Sequence, residues 1–124
     1  MNLLRSLGLC AVATGLAVLA ITPAQADESC RPMRWITLGT AGGPVPTPER
    51  SEPANLLLAG EQQILVDTGD GTVDQLARAG RDLVPINTVF ISHHHMDHTG
   101  GLAAVIGLRW MNTMPGILTV YGPA

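Results

Sequence analysis

Asn87-Thr88-Val89-Phe90-Ile91-Ser92 runs directly into His93-His94-His95-Met96-Asp97-His98, and Thr99-Gly100-Gly101 follows. All four histidines of the 124-residue chain fall inside that six-residue run. Asn87 to Ser92 is apolar enough for a strand buried on both faces. Side chains alternate along an extended segment, so His93 and His95 point one way and His94 points away. Two imidazoles at that spacing can grip one ion. Asp97 and His98 follow where the chain turns toward a helix, so they can aim at a second ion close by. Imidazole with carboxylate favours zinc, while iron and manganese are compatible with the ligand type. Gly100-Gly101 permits close backbone approach and a tight entry into the helix. The alternative is a solvent-exposed histidine-rich tract with casual metal affinity. The fixed spacing, the interrupting Asp97, the preceding strand and the glycine pair argue against it. His94 reads as a non-ligand that packs or hydrogen-bonds nearby.

Outward from this run, short strands come first and strand–helix alternation follows. Arg34 to Leu38 is a β-prone run ended by Gly39. Gly39 to Pro53 is too rich in glycine and proline for regular structure over most of its length. Within it Gly39 to Gly43 could let a substrate approach the backbone, but it lacks the Lys-Ser/Thr ending of a phosphate-binding P-loop and reads as a plain loop. Asn55 to Ala59 and Gln63 to Val66 form a hairpin across Gly60-Glu61-Gln62, and Asp67-Thr68-Gly69-Asp70-Gly71 is a loop. Thr72 is expected to cap a helix with Gln75 as its capping-box partner. Val73, Leu76 and Ala77 make that helix's apolar face, Gly80 terminates it and Pro85 bars its continuation. Leu102 to Met111 is a second helix with Leu102, Val105, Ile106 and Trp110 along one side, and Ile117 to Tyr121 is the last strand. Trp35 and Trp110 read as core residues, and Asp70 as turn chemistry. This is an α/β plan, a mixed sheet covered by helices on one face, whose other face would be left bare.

The first 26 residues read as a leader rather than as fold. Arg5 supplies a positive start, Leu7 to Ile21 is almost wholly apolar, and Ala24-Gln25-Ala26 is a small-x-small cleavage site, which together make a secretory signal peptide. An uncleaved anchor is the alternative, and the stretch is short for one. Export to a bacterial periplasm or beyond is the expectation, with no membrane attachment after cleavage. From Asp27 onward, 98 of the 124 residues remain, carrying six arginines against ten acidic residues and no lysine, a net charge of −4. That length suits one small domain. The acidic balance is opposite to what holding phosphate backbones by charge requires, so no nucleic-acid partner is expected. Cys30 alone survives cleavage, so no internal disulfide can form.

His93, His95, Asp97 and His98 resemble, without substitution, the His-x-His-x-Asp-His signature of the metallo-β-lactamase-fold hydrolases. Asp67-Thr68-Gly69-Asp70-Gly71-Thr72 with Gln75-Leu76 is similar to the segment before the metal motif in the ribonuclease Z and secreted arylsulfatase-like branch. Leu38-Gly39-Thr40-Ala41-Gly42-Gly43-Pro44 and Leu118-Thr119-Val120-Tyr121-Gly122-Pro123 are similar to the same group. The resemblance implies the N-terminal half of an αβ/βα sandwich at residues 27–124, with His93 and His95 on a first zinc and Asp97 and His98 on a second. For Asp67 it implies hydrogen bonds that hold the histidine-bearing loop, while a turn-forming Asx residue is the equal alternative.

Enzymes of this family complete the two-zinc cage with later histidines and an aspartate that have no counterpart here, so the chain is expected to be an N-terminal fragment. The implied activity is hydrolysis by a binuclear zinc-activated hydroxide, with Asp97 orienting it and passing a proton. The implied substrate is a small phosphodiester or sulfate ester. A β-lactam, lactone or thioester hydrolase is the enzymatic alternative, and a non-catalytic zinc-binding remnant is the other.

Overall fold

The computed structural model describes residues 32–124; the leader at 1–26 and Cys30 lie outside the described residues. Strands β1 (Arg34–Gly39), β2 (Ala54–Ala59) and β3 (Gln62–Thr68) are followed by α1 (Thr72–Arg78) and β4 (Ile86–Phe90). The chain then forms α2 (Met96–Thr99), α3 (Leu102–Met111) and β5 (Thr119–Tyr121). One five-stranded sheet has the order β1-β2-β3-β4-β5. The first two pairings are antiparallel, and β3–β4 and β4–β5 are parallel. This is the expected mixed α/β sheet. Gly60, at φ 61°, makes the tight β2–β3 turn possible. Parallel neighbours need a crossover, which α1 provides between β3 and β4, and α2 with α3 between β4 and β5.

The core lies on the helix side of the sheet. Leu56 faces Leu65 across β2–β3, and Leu65 faces Val89 across β3–β4. All three are fully buried and cluster with Leu76 of α1 and Val105 of α3. The alternate positions look outward, and there Trp35, Phe90 and Tyr121 are exposed. Phe90 and Tyr121 stack with ring centroids 4.9 Å apart. β4 is therefore buried on one face only, contrary to the reading of its apolar run. Ile86 and Val89 are its buried positions, and Asn87 and Phe90 its exposed ones.

Three local expectations are also corrected. Thr72 is the first residue of α1 rather than its cap. Gly71, left-handed at φ 82°, precedes the helix without a side-chain cap. The Thr72 hydroxyl donates to Gly69 O at 2.7 Å, and Gln75 Nε2 donates to Ser51 Oγ at 2.9 Å. The helix start is tied to two loops instead of to itself. Its end follows expectation, since Gly80 N donates to Ala77 O, and Arg81 N to Leu76 O, around a Gly80 at φ 64°. Trp35 and Trp110 are not core residues, being 55 % and 80 % exposed.

On α3 the buried positions are Val105 and Arg109, with Leu102 and Leu108 partly buried, so Ile106 and Trp110 sit one step round the helix in solvent. The Arg109 guanidinium is what turns the helix this way. It donates to Ile86 O at 2.7 Å, Asn87 Oδ1 at 2.8 Å and Pro115 O at 2.8 Å, so a charged residue occupies the inner stripe. No helix among the described residues is long and apolar enough to cross a membrane.

Candidate metal centre

β4 ends at Phe90, Ile91 N still donates to Tyr121 O of β5 at 2.7 Å, and the histidine run begins two residues later. His95, in extended conformation at φ −62° and ψ 146°, precedes the single turn of α2. That turn lies against the end of β3. Gly101 N donates to Thr68 O at 2.8 Å, and a Cβ on Gly101 would overlap Gly69 O. Close backbone approach is thus required at Gly101 specifically.

The run gathers its rings. His93 and His98 have centroids 4.0 Å apart, and His93 and His95 4.7 Å. Asp97 is buried, with Oδ2 3.6 Å from His98 Nε2. His94 and His95 are exposed, and His93 and His98 half-buried. Among the described residues, no three or more His, Cys, Asp or Glu side chains already converge as a set that could hold an ion.

Beneath the rings lies Asp67, itself left-handed at φ 61°. Its Oδ1 accepts Ser92 N–H at 2.8 Å, and its Oδ2 accepts the Ser92 hydroxyl at 2.9 Å and His98 Nδ1 at 2.8 Å. Burial alone would raise this carboxyl, but the Ser92 N–H and then the His98 and Ser92 side chains outweigh it and hold it below the usual carboxylate range.

An ionised Asp67 only accepts, so His98 Nδ1 carries a proton. The single Ser92 hydroxyl proton goes to Asp67, so at 3.0 Å its oxygen accepts from His93 Nδ1. With Nδ1 carrying a proton in each ring, Nε2 is the nitrogen left to ligate. That is the arrangement an imidazole needs for ligating through Nε2 while a carboxylate or hydroxyl holds its other nitrogen. The donor set, imidazoles beside a carboxylate, fits a divalent ion of the zinc type.

Several contributors were not singled out by the motif. Ser92 is the link between Asp67 and His93. Glu52, buried, accepts Asp70 N–H on Oε2 at 3.0 Å, while its own N–H donates to Asp70 O at 3.3 Å. Asp70 therefore works through its backbone. Gly43 and Pro44, from the β1–β2 loop, line a cavity of about 350 Å³ with His95, Met96 and Asp97. The signal for Ser92 was its adjacency to the run; nothing in the sequence pairs Glu52 or Gly43 with it.

The chain is 37 % identical to ribonuclease Z of Mycobacterium avium over 91 residues, covering 71 % of this chain and 32 % of the relative. It is 42 % identical to ribonuclease Z of Pyrococcus furiosus over 88 residues, covering 71 % and 28 %. The crystal structure of human tRNase Z, short form, superposes with a TM-score of 0.62 at 32 % identity, covering 73 % of this chain and 34 % of that one. YhfI of Bacillus subtilis, a metallo-beta-lactamase fold protein, superposes with a TM-score of 0.66 at 24 % identity over 74 % and 38 %, a likeness of fold. The chain thus spans about a third of the length of the curated relatives it matches.

Relatives named for RNA and tRNA overturn the expectation of no nucleic-acid partner. Net charge was summed over a stretch a third as long as those relatives, and a substrate meets the local field at a site rather than the total. The family whose pattern matches residues 47–119, more than half of the chain, is the metallo-beta-lactamase superfamily, and the chain belongs to it.

Proposed function

We propose that this hydrolase acts on phosphodiester bonds, with metal held by His93, His95, Asp97 and His98, zinc being the metal the donors favour. The observation that carries the reading is the Asp67–Ser92 relay, which engages Nδ1 of His93 and of His98 and leaves Nε2 of each as the ligating nitrogen. His93 and His95 would serve one ion, and Asp97 and His98 a second. Bound there, two zinc ions would acidify a water molecule and offset charge on the attacked group. Asp97, buried beside the cavity, orients the attacking water and passes its proton toward the leaving oxygen. Asp67 holds the His98 ring, and Ser92 holds the His93 ring, so neither needs to reorganise as charge develops. Pro44 and Met96 line the cavity beside His95 and Asp97.

The phosphodiester assignment is supported by relatives named ribonuclease Z and tRNase Z. RNA and small diesters present the same reacting centre, and export through the residue 1–26 leader is part of the same proposal. The test is a panel of a tRNA precursor, an aryl phosphodiester, an aryl sulfate and a β-lactam, run on purified protein with zinc and with chelator. Zinc-dependent turnover of a phosphodiester is the expected result, with RNA against aryl diester naming the source. Turnover of the sulfate or β-lactam alone, or none with zinc bound, overturns it.

A further inference from the structure

Asp97 sits in a cradle formed by two glycines from separate loops. A Cβ on Gly43 would overlap Oδ2, Cγ and Cβ of Asp97, and one on Gly69 would overlap the Asp97 carbonyl oxygen. Neither glycine has a positive φ, so what each position demands is space rather than backbone freedom. A flexible carboxylate tip could swing aside. The overlap at Gly43 reaches the Asp97 Cβ, which no side-chain rotation can move.

Relief would have to come from backbone, and hydrogen bonds hold the chain at Ala41, two residues before Gly43, and around Asp97. Ala41 N donates to Ser51 O at 2.9 Å and Gly69 N to Pro53 O at 2.9 Å, closing the β1–β2 loop onto the β3–α1 loop. His98 N donates to His95 O at 3.0 Å and Gly100 N to Met96 O at 2.7 Å, fixing the turn that carries Asp97. Gly42 supplies the contrast, because a Cβ there meets nothing within 4 Å.

We infer that Gly43 is a positioning residue: the empty space at its α-carbon sets where the Asp97 carboxylate stands at the mouth of the cavity. The inference rests on the reading of Asp97 as a metal ligand. It also gives the β1–β2 loop a function in the site, as the wall opposite His95 and Met96.

The test compares Gly43→Ala with Gly42→Ala by amide NMR of the metal-free protein and by cobalt(II) titration. Gly43→Ala should shift the Asp97 and His98 resonances and weaken cobalt binding by roughly tenfold or more, the scale of losing a group that orients a ligand. Gly42→Ala should do neither, and in an Asp97→Gly background, which lacks the overlapped Cβ, Gly43→Ala should cost no further affinity. Unchanged Asp97 resonances, or an equal loss of affinity without Asp97, overturns the inference. If Gly43→Ala does not fold, Gly43→Ala/Asp97→Gly removes the overlapped atoms. Recovery of the fold supports the inference, and continued failure overturns it. Wild-type protein that takes no cobalt while Gly43→Ala still displaces Asp97 upholds the positioning role and defeats the metal reading.

Discussion

Asp67 adopts a left-handed backbone, which a non-glycine residue takes up only at a cost, and from there its two oxygens hold Ser92 and His98. Asp67→Asn presents an amide N–H₂ to at least one group that now donates, so either His98 changes tautomer or the contact breaks. Metal affinity should fall by roughly 10–100-fold, measured by competition with a chromophoric chelator. Ser92→Ala removes the acceptor for His93 Nδ1 and should produce a smaller loss in the same titration. The spacing of His93, His95, Asp97 and His98 was legible in the sequence because a motif lives in consecutive residues. Of the groups under it, Asp67 was reached only through the family resemblance, with an Asx turn as the equal alternative, because it lies on another strand. Gly43 and Glu52 lie on a loop whose glycines and prolines say only that it is irregular.

At the scale of elements, the strands and both longer helices were readable from apolar period and from Gly60 and Gly80 as punctuation. The face of α3 was misread, because apolar counting assigns Trp110 inward and Arg109 outward. The guanidinium reverses that by bridging β4 to the segment before β5. Arg109→Leu would leave Ile86 O and Pro115 O without their donor inside the fold, and should destabilise the protein by about 3 kcal/mol in urea unfolding. Arg109→Lys should not restore it, since one ammonium cannot reproduce a fork that donates to both sides. The capping box at Thr72 failed for a related reason. Ser51 and Gly69, distant in sequence or hidden in a loop, compete successfully for the side chains that would have closed the helix on itself.

In the whole molecule, one sheet carries helices on one side, and stability is concentrated there. Leu65→Ala should cost about 2–5 kcal/mol, whereas Trp110→Ser should change stability by no more than about 0.5 kcal/mol, both read from thermal or urea melts. Fold class and family were within reach of the sequence because the strand–helix order and the metal motif are local. The partner was not, since an acidic total over 98 residues is silent about the field at one site. The proposed chemistry requires that His93, His95, Asp97 and His98 hold metal. The most direct measurement is zinc content of the purified protein beside His93→Ala, His95→Ala, Asp97→Ala, His98→Ala and His94→Ala. Zinc bound by the wild type, lowered by each of the first four changes and untouched by His94→Ala, is the predicted result. No bound zinc, or a loss at His94→Ala equal to the others, would contradict it.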